Sequence, residues 1–180
     1  MAVVVVGGGG RGVGKSALMC GIIAALPEMQ WVAVKIARHE HVGEQLVWEE
    51  TEPGDRTDSA RYLAAGARRA LLLTAVDDAA MQRSLDQLWK QIERGANLIF
   101  ESNRVLNCLK PNVCLMVRSS ADNRELKASF ENVAHLADAV VIAGKANAYR
   151  EGPPPEFELA RLEQISSEME SWIRGRLIYG

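Results

Sequence analysis

The apolar stretch Ala2-Val3-Val4-Val5-Val6, followed by Gly7-Gly8-Gly9-Gly10-Arg11-Gly12-Val13-Gly14-Lys15-Ser16, decides how the rest of the chain is read. An unbroken apolar run suits a central parallel strand that is covered on both faces. Counted from Gly9, the following residues meet the spacing Gly-x-x-x-x-Gly-Lys-Ser of a phosphate-binding loop. The required context, a buried strand before and an amphipathic helix after, is also present.

The residue types follow from the chemistry. Glycines let successive N–H groups turn inward around a phosphate at the positive end of the next helix. The expected cradle is Gly9, Gly10, Arg11, Gly12, Val13, Gly14, Lys15, Ser16 and Ala17. Lys15 is placed to reach β- and γ-phosphate oxygens, and the Ser16 hydroxyl suits Mg²⁺, a hard cation that prefers oxygen. A nucleoside triphosphate, GTP or ATP, with magnesium is therefore the expected ligand.

Outward from the loop, strands and helices alternate. A helix is expected from Lys15 to about Leu26, stopped by Pro27, then a strand from Trp31 to Ile36. The polar segment from Arg38 to Thr57 reads as an excursion, with an edge strand around Gln45 to Glu49. Thr57-Asp58-Ser59 supplies caps for a short helix through Ala65, which Gly66 ends. Ala70 to Thr74 is a third core strand. Asp77-Asp78 caps a helix with Met81, Leu85, Leu88 and Ile92 on one face. Further strands are expected at Leu98-Ile99-Phe100, Val113 to Val117 and Val140-Val141-Ile142, with a helix from about Asn123 to Leu136. Leu159, Leu162, Ile165, Met169 and Trp172 suggest a closing helix. This alternation predicts an α/β, three-layer P-loop NTPase fold with a mainly parallel sheet, built as a single domain over residues 1–180.

Composition narrows the partners. A net charge of −2 and a pI near 6.0 argue against a broad nucleic-acid-binding face, since adjacent basic residues occur only at Arg68-Arg69, expected on a helix end or turn. The opening apolar run is too short for a membrane span and lacks a basic leader, so it reads as a strand. Cys20, Cys108 and Cys114 form no C-x-x-C pair and suit the core of a reduced, cytoplasmic protein.

A phosphate-binding loop needs a partner acid on a neighbouring strand end. Glu101, directly after Leu98-Ile99-Phe100, is that candidate, as catalytic residue and as metal partner beside Ser16. Asp55 and Asp58 lie where a switch or substrate-activating acid belongs, although capping also explains Asp58. Lys35, Arg38, His39 and His41 cluster after the second strand and suit an anionic substrate better than zinc. His135 reads as a capping or packing residue. Gly144-Lys145-Ala146-Asn147 occupies the place of a base-recognition loop, but Asn147 lacks the carboxylate that would select guanine.

With these residues in view, the chain resembles the MobB family, P-loop GTP-binding proteins of molybdopterin-guanine dinucleotide biosynthesis. The resemblance rests on Gly9 to Ser16, Lys35 to His39, Asp58-Ser59 through Ala64-Ala65-Gly66-Ala67, and Glu101, within about the first hundred residues. The loop ends in Lys-Ser where Lys-Thr-Thr is usual in that family. The resemblance implies a small homodimeric nucleotide-binding adapter with slow GTPase activity, assisting an enzyme of molybdenum-cofactor biosynthesis. Lys15, Glu101 and Asp58 would then be its catalytic residues. Two other readings stay open. One is a small-molecule kinase in which Asp55 or Asp58 activates an acceptor hydroxyl and Arg38, Arg56 or Arg61 clamps phosphate. The other is a binding module gated by nucleotide without turnover.

Overall fold

The computed structural model describes residues 1–38, 45–119, 128–144 and 146–179. The opening apolar run forms β1 (Val3–Gly8), and the glycine loop leads from it into α1 (Lys15–Ala25). The chain continues through β2 (Val32–Ala37), β3 (Val47–Glu50), α2 (Asp58–Ala64), β4 (Arg69–Thr74), α3 (Asp78–Gln91) and β5 (Leu98–Glu101). Beyond these come β6 (Val113–Ser119), α4 (Ala128–Glu131), β7 (Ala139–Ala143), β8 (Ala148–Arg150), β9 (Glu156–Leu159) and α5 (Ser167–Tyr179).

Among the described residues the strands form one sheet in the order β3-β4-β2-β5-β1-β6-β7-β9-β8. The seven inner strands run parallel, while β3 and β8 pair antiparallel at the two edges. Parallel neighbours require crossovers, and the helices that make them cover both faces. Leu18, Ile22, Tyr62, Met169 and Ile173 from α1, α2 and α5 pack on one face. Met81, Leu85 and Leu88 of α3, with Phe130 and Val133, pack on the other. The architecture is the expected three-layer α/β P-loop fold. Among the described residues, no helix is long and apolar enough to cross a membrane.

The C-terminal third departs from expectation. The helix expected from Asn123 to Leu136 is, within the described residues, one turn at Ala128–Glu131 and a 3-10 turn at Ala134–Leu136, where His135 is exposed and so does not pack in a core. The closing helix begins only at Ser167. Leu159 instead ends β9, a strand that pairs with β7, and Leu162 lies between strand and helix. Glu156-Phe157-Glu158-Leu159 alternates polar and apolar, and Phe157 and Leu159 are fully buried, so pairing with the exposed edge of β7 outweighs the helical spacing of Leu159, Leu162 and Ile165. Arg69 likewise lies at the start of β4, paired with Glu49 of the neighbouring edge strand at 2.7 Å, rather than on a helix end or turn.

Candidate functional site

Register brings the site together before any side chain is considered. In the parallel pair β2–β5, Lys35 stands beside Glu101, and in β1–β5, Val6 stands beside Glu101. Side-by-side residues in register share a face of the sheet. Lys35 and the carboxylate of Glu101 are accordingly in direct ion-pair contact. Asp58 opens α2, and Tyr62 follows four residues later on the same helical face.

These residues close on Ser16. Its hydroxyl donates to Glu101 Oε2 at 2.7 Å. Lys35 Nζ lies 2.8 Å from Asp58 Oδ2, and the Tyr62 hydroxyl donates to Glu101. Glu101 is only 5% exposed, so its carboxylate depends on these three donors to offset lost hydration. Burial acts to raise the Asp58 carboxyl, but the hydrogen bond and charge of Lys35, then the neighbouring Ser16 hydroxyl and the Arg61 charge, hold it below the usual carboxylate range. Burial first, and then the Glu101 charge, push the Tyr62 phenol upward, keeping it a protonated donor.

The loop itself is held open by backbone geometry. Gly12 and Gly14 have φ of 79° and 102°, the left-handed region that side chains disfavour. A Cβ on Gly14 would also lie 2.1 Å from Leu162 Cδ1. The three longest crossover helices of the N-terminal half start differently: Thr57 caps α2 by accepting from Ala60 N, and Asp77 caps α3 by accepting from Ala80 N. Gly14 gives α1 no side-chain cap, and its first turn carries no acid. A helix start with no side-chain cap and no acid in its first turn suits an anion, which favours the positive end of a helix. Lys15 Nζ reaches back across the loop to the Gly10 carbonyl at 2.8 Å.

The residues named from sequence do not all converge. Ser16, Asp58, Glu101 and Lys35 meet; Lys35 was expected to face an anionic substrate and instead faces the two acids. Asp55 and Arg56 are exposed in the loop ahead of α2. Arg61 lies 3.7 Å from Asp58 and 3.9 Å from Glu163, so its charge is turned toward carboxylates. Arg38 lines a separate cavity of about 440 Å³ with Arg104, Asp77 and Asp78. His39, His41 and Lys145 lie outside the described residues. Asn147 Oδ1 accepts from Ala160 N at 2.9 Å, which commits that oxygen to the protein.

Two contributors escaped the sequence reading. Asn103 accepts from Gly8 N at 2.8 Å and donates to Gly8 O at 3.0 Å, clamping the loop's first turn as a backbone neighbour would. Its signal was its position two residues past Glu101, at the same strand end. Tyr62 was legible only as a residue one helical turn from Asp58.

The oxygen donors Ser16, Asp58 and Glu101 suit magnesium chemically. Among the described residues, no group of three or more His, Cys, Asp or Glu is placed to hold a metal by itself. A cation here would depend on phosphate oxygens for much of its shell.

The fold and loop define the chain's class as a P-loop NTPase-like α/β protein. No family model and no curated protein matches the chain. Its backbone is similar to that of the apo form of LpxK from Aquifex aeolicus in complex with ATP, with a TM-score of 0.51 and 16% identity. The match covers 88% of this chain and 53% of the LpxK chain, so the chain spans about half of that protein's length. At this identity the likeness establishes the fold.

Proposed function

We propose that this chain binds a nucleoside triphosphate with magnesium in the loop from Gly9 to Ala17 and hydrolyses it slowly. The carrying observation is the uncapped start of α1, opened by Gly12 and Gly14, with the Ser16 hydroxyl bonded to Glu101 and Asp58 linked to Glu101 through Lys35. Lys15 and the loop amides bind the β- and γ-phosphates. Magnesium, when bound, neutralises phosphate charge; Ser16 would hold it, with Asp58 and Glu101 ordering its water. Tyr62 and Lys35 hold the two acids in place. The ATP complex of LpxK, on the same fold, supports a triphosphate ligand here.

In its finer form this reading makes the chain a MobB-like GTPase or ATPase, a single-domain cytoplasmic homodimer that serves an enzyme of molybdenum-cofactor biosynthesis. Support comes from the convergence of Lys35, Asp58 and Glu101, three positions that carry the resemblance. A second reading, phosphoryl transfer to a small acceptor, is favoured by a cavity of about 320 Å³ lined by Trp48, Leu72, Thr57, Lys35 and Asp58. It adjoins the acids through Asp58.

Calorimetry with ATP and with GTP, each with and without Mg²⁺, tests the reading. Binding of at least one triphosphate is expected, with affinity lowered 100-fold or more in Lys15→Ala at an unchanged thermal midpoint. Failure of the unaltered protein to bind either one would overturn it. Phosphate release without an acceptor separates hydrolysis from transfer.

A further inference from the structure

We infer that Lys35 is an internal counter-ion that bars a divalent cation from the Ser16–Asp58–Glu101 cluster until a triphosphate brings one in. The inference rests on the proposed magnesium-triphosphate site and assigns it a form of regulation. Its ground is placement: an ammonium group from β2 is seated between the two carboxylates, in contact with Glu101 and 2.8 Å from Asp58 Oδ2. Glu101 also accepts from the hydroxyl of Ser16, the last residue of the glycine-loop spacing, at 2.7 Å.

A divalent ion drawn to these acids must displace or outcompete a charge that is already there. Among the described residues, no third His, Cys, Asp or Glu is placed to join them as a ligand. The ammonium is tethered by the β2–β5 register, so its effective concentration at the acids is far above that of free cation. A triphosphate changes the balance in two ways. It supplies oxygens that complete a hexacoordinate shell, and it adds negative charge to which the Lys35 side chain, 23% exposed and on a flexible stem, can turn. Metal entry and triphosphate entry are thereby coupled, and a bare cation does not hold the acids.

The test uses Mn²⁺ alone, without nucleotide, followed by the loss of its free-ion electron paramagnetic resonance signal. Lys35→Met should bind one Mn²⁺ at least tenfold more tightly than the unaltered protein, while Lys35→Arg, which keeps the charge, should remain as weak as the unaltered protein. Adding Asp58→Asn to Lys35→Met should abolish the gain and so assign it to this cluster. A folded Lys35→Met, or folded Lys35→Gln if the former fails to fold, with Mn²⁺ affinity equal to the unaltered protein would overturn the inference. Because no nucleotide is present, that result is distinct from failure of triphosphate binding, which calorimetry reads separately.

Discussion

The two neighbours of β1 meet the glycine loop in different ways. From one side, β5 delivers Glu101 to Ser16 and, just beyond it, Asn103 to Gly8, while β2 and α2 add Lys35, Asp58 and Tyr62. From the other side, β6 delivers Met116 and Val117, and the segment after β9 delivers Leu162. Met116 Sδ would lie 2.5 Å from a Cβ on Gly7, and Leu162 Cδ1 would lie 2.1 Å from one on Gly14. One flank therefore supplies hydrogen bonds and charge, with Asn103 Oδ1 also 2.7 Å from a Cβ on Gly7; the other supplies apolar side chains that crowd Gly7 and Gly14. A phosphate loop needs both, because amides must converge without side chains and the charge they gather must have a counterpart nearby.

Variants on the two flanks should separate these contributions. The largest effect belongs to the apolar side: Phe157→Ala removes a fully buried ring that contacts Tyr149 and Trp172 at centroid distances of 5.0 and 5.6 Å. A loss of about 3–5 kcal/mol is expected in urea unfolding. The magnesium dependence of nucleotide binding in the folded fraction should stay unchanged, and a shift in it would break the comparison.

Gly14→Ala should follow, at roughly 2–4 kcal/mol from a left-handed backbone and the clash with Leu162. Gly12→Ala provides the contrast, since nothing lies within 4 Å of its Cβ, and backbone preference alone predicts about 1–2 kcal/mol. Equal losses in thermal or urea melts would remove Leu162 from the account.

On the polar side, Tyr62→Phe keeps the buried ring and deletes one donor to Glu101, for an expected cost of about 1–2 kcal/mol. Unlike Phe157→Ala, it should also alter the Mg²⁺ concentration needed for half-maximal triphosphate binding. An unaltered metal response would sever Tyr62 from the site.

The smallest effect is at the sheet edge. Hydrogen bonding from Arg69, outweighing partial burial, holds the Glu49 carboxyl below its ordinary range. A lowered folded pKa stabilises above the unfolded value, about 4.3, and that contribution fades as pH falls through the folded value. Glu49→Gln should therefore cost under ~1 kcal/mol at neutral pH, in keeping with an exposed pair, and nothing in strong acid. A loss that persists in acid would point to packing instead of charge.

Legibility followed the same division. The strand, loop and helix from Val3 to Ala25 were readable because local spacing and local chemistry agree there. Thr57 and Asp77 were recognisable as caps for the same reason. Glu101 was visible as an acid that abruptly ends an apolar strand. Lys35 was visible only as a cation near a strand end, and its turn toward Glu101 follows from the β2–β5 register, which no local pattern encodes. In β9, two periodicities competed over Leu159, and the unpaired edge of β7 decided between them.

By itself, the order of residues determined a glycine-rich turn of phosphate-loop spacing behind a buried strand, because glycine freedom, the lysine and the hydroxyl fall within ten residues of one another. Only the tertiary structure decided which charges face that turn. Lys35, the Asp58–Tyr62 turn of α2 and Glu101 are far apart along the chain, and strand register and helix docking bring them within hydrogen-bond range. Buried charge demands a partner, and the fold chooses which one it meets.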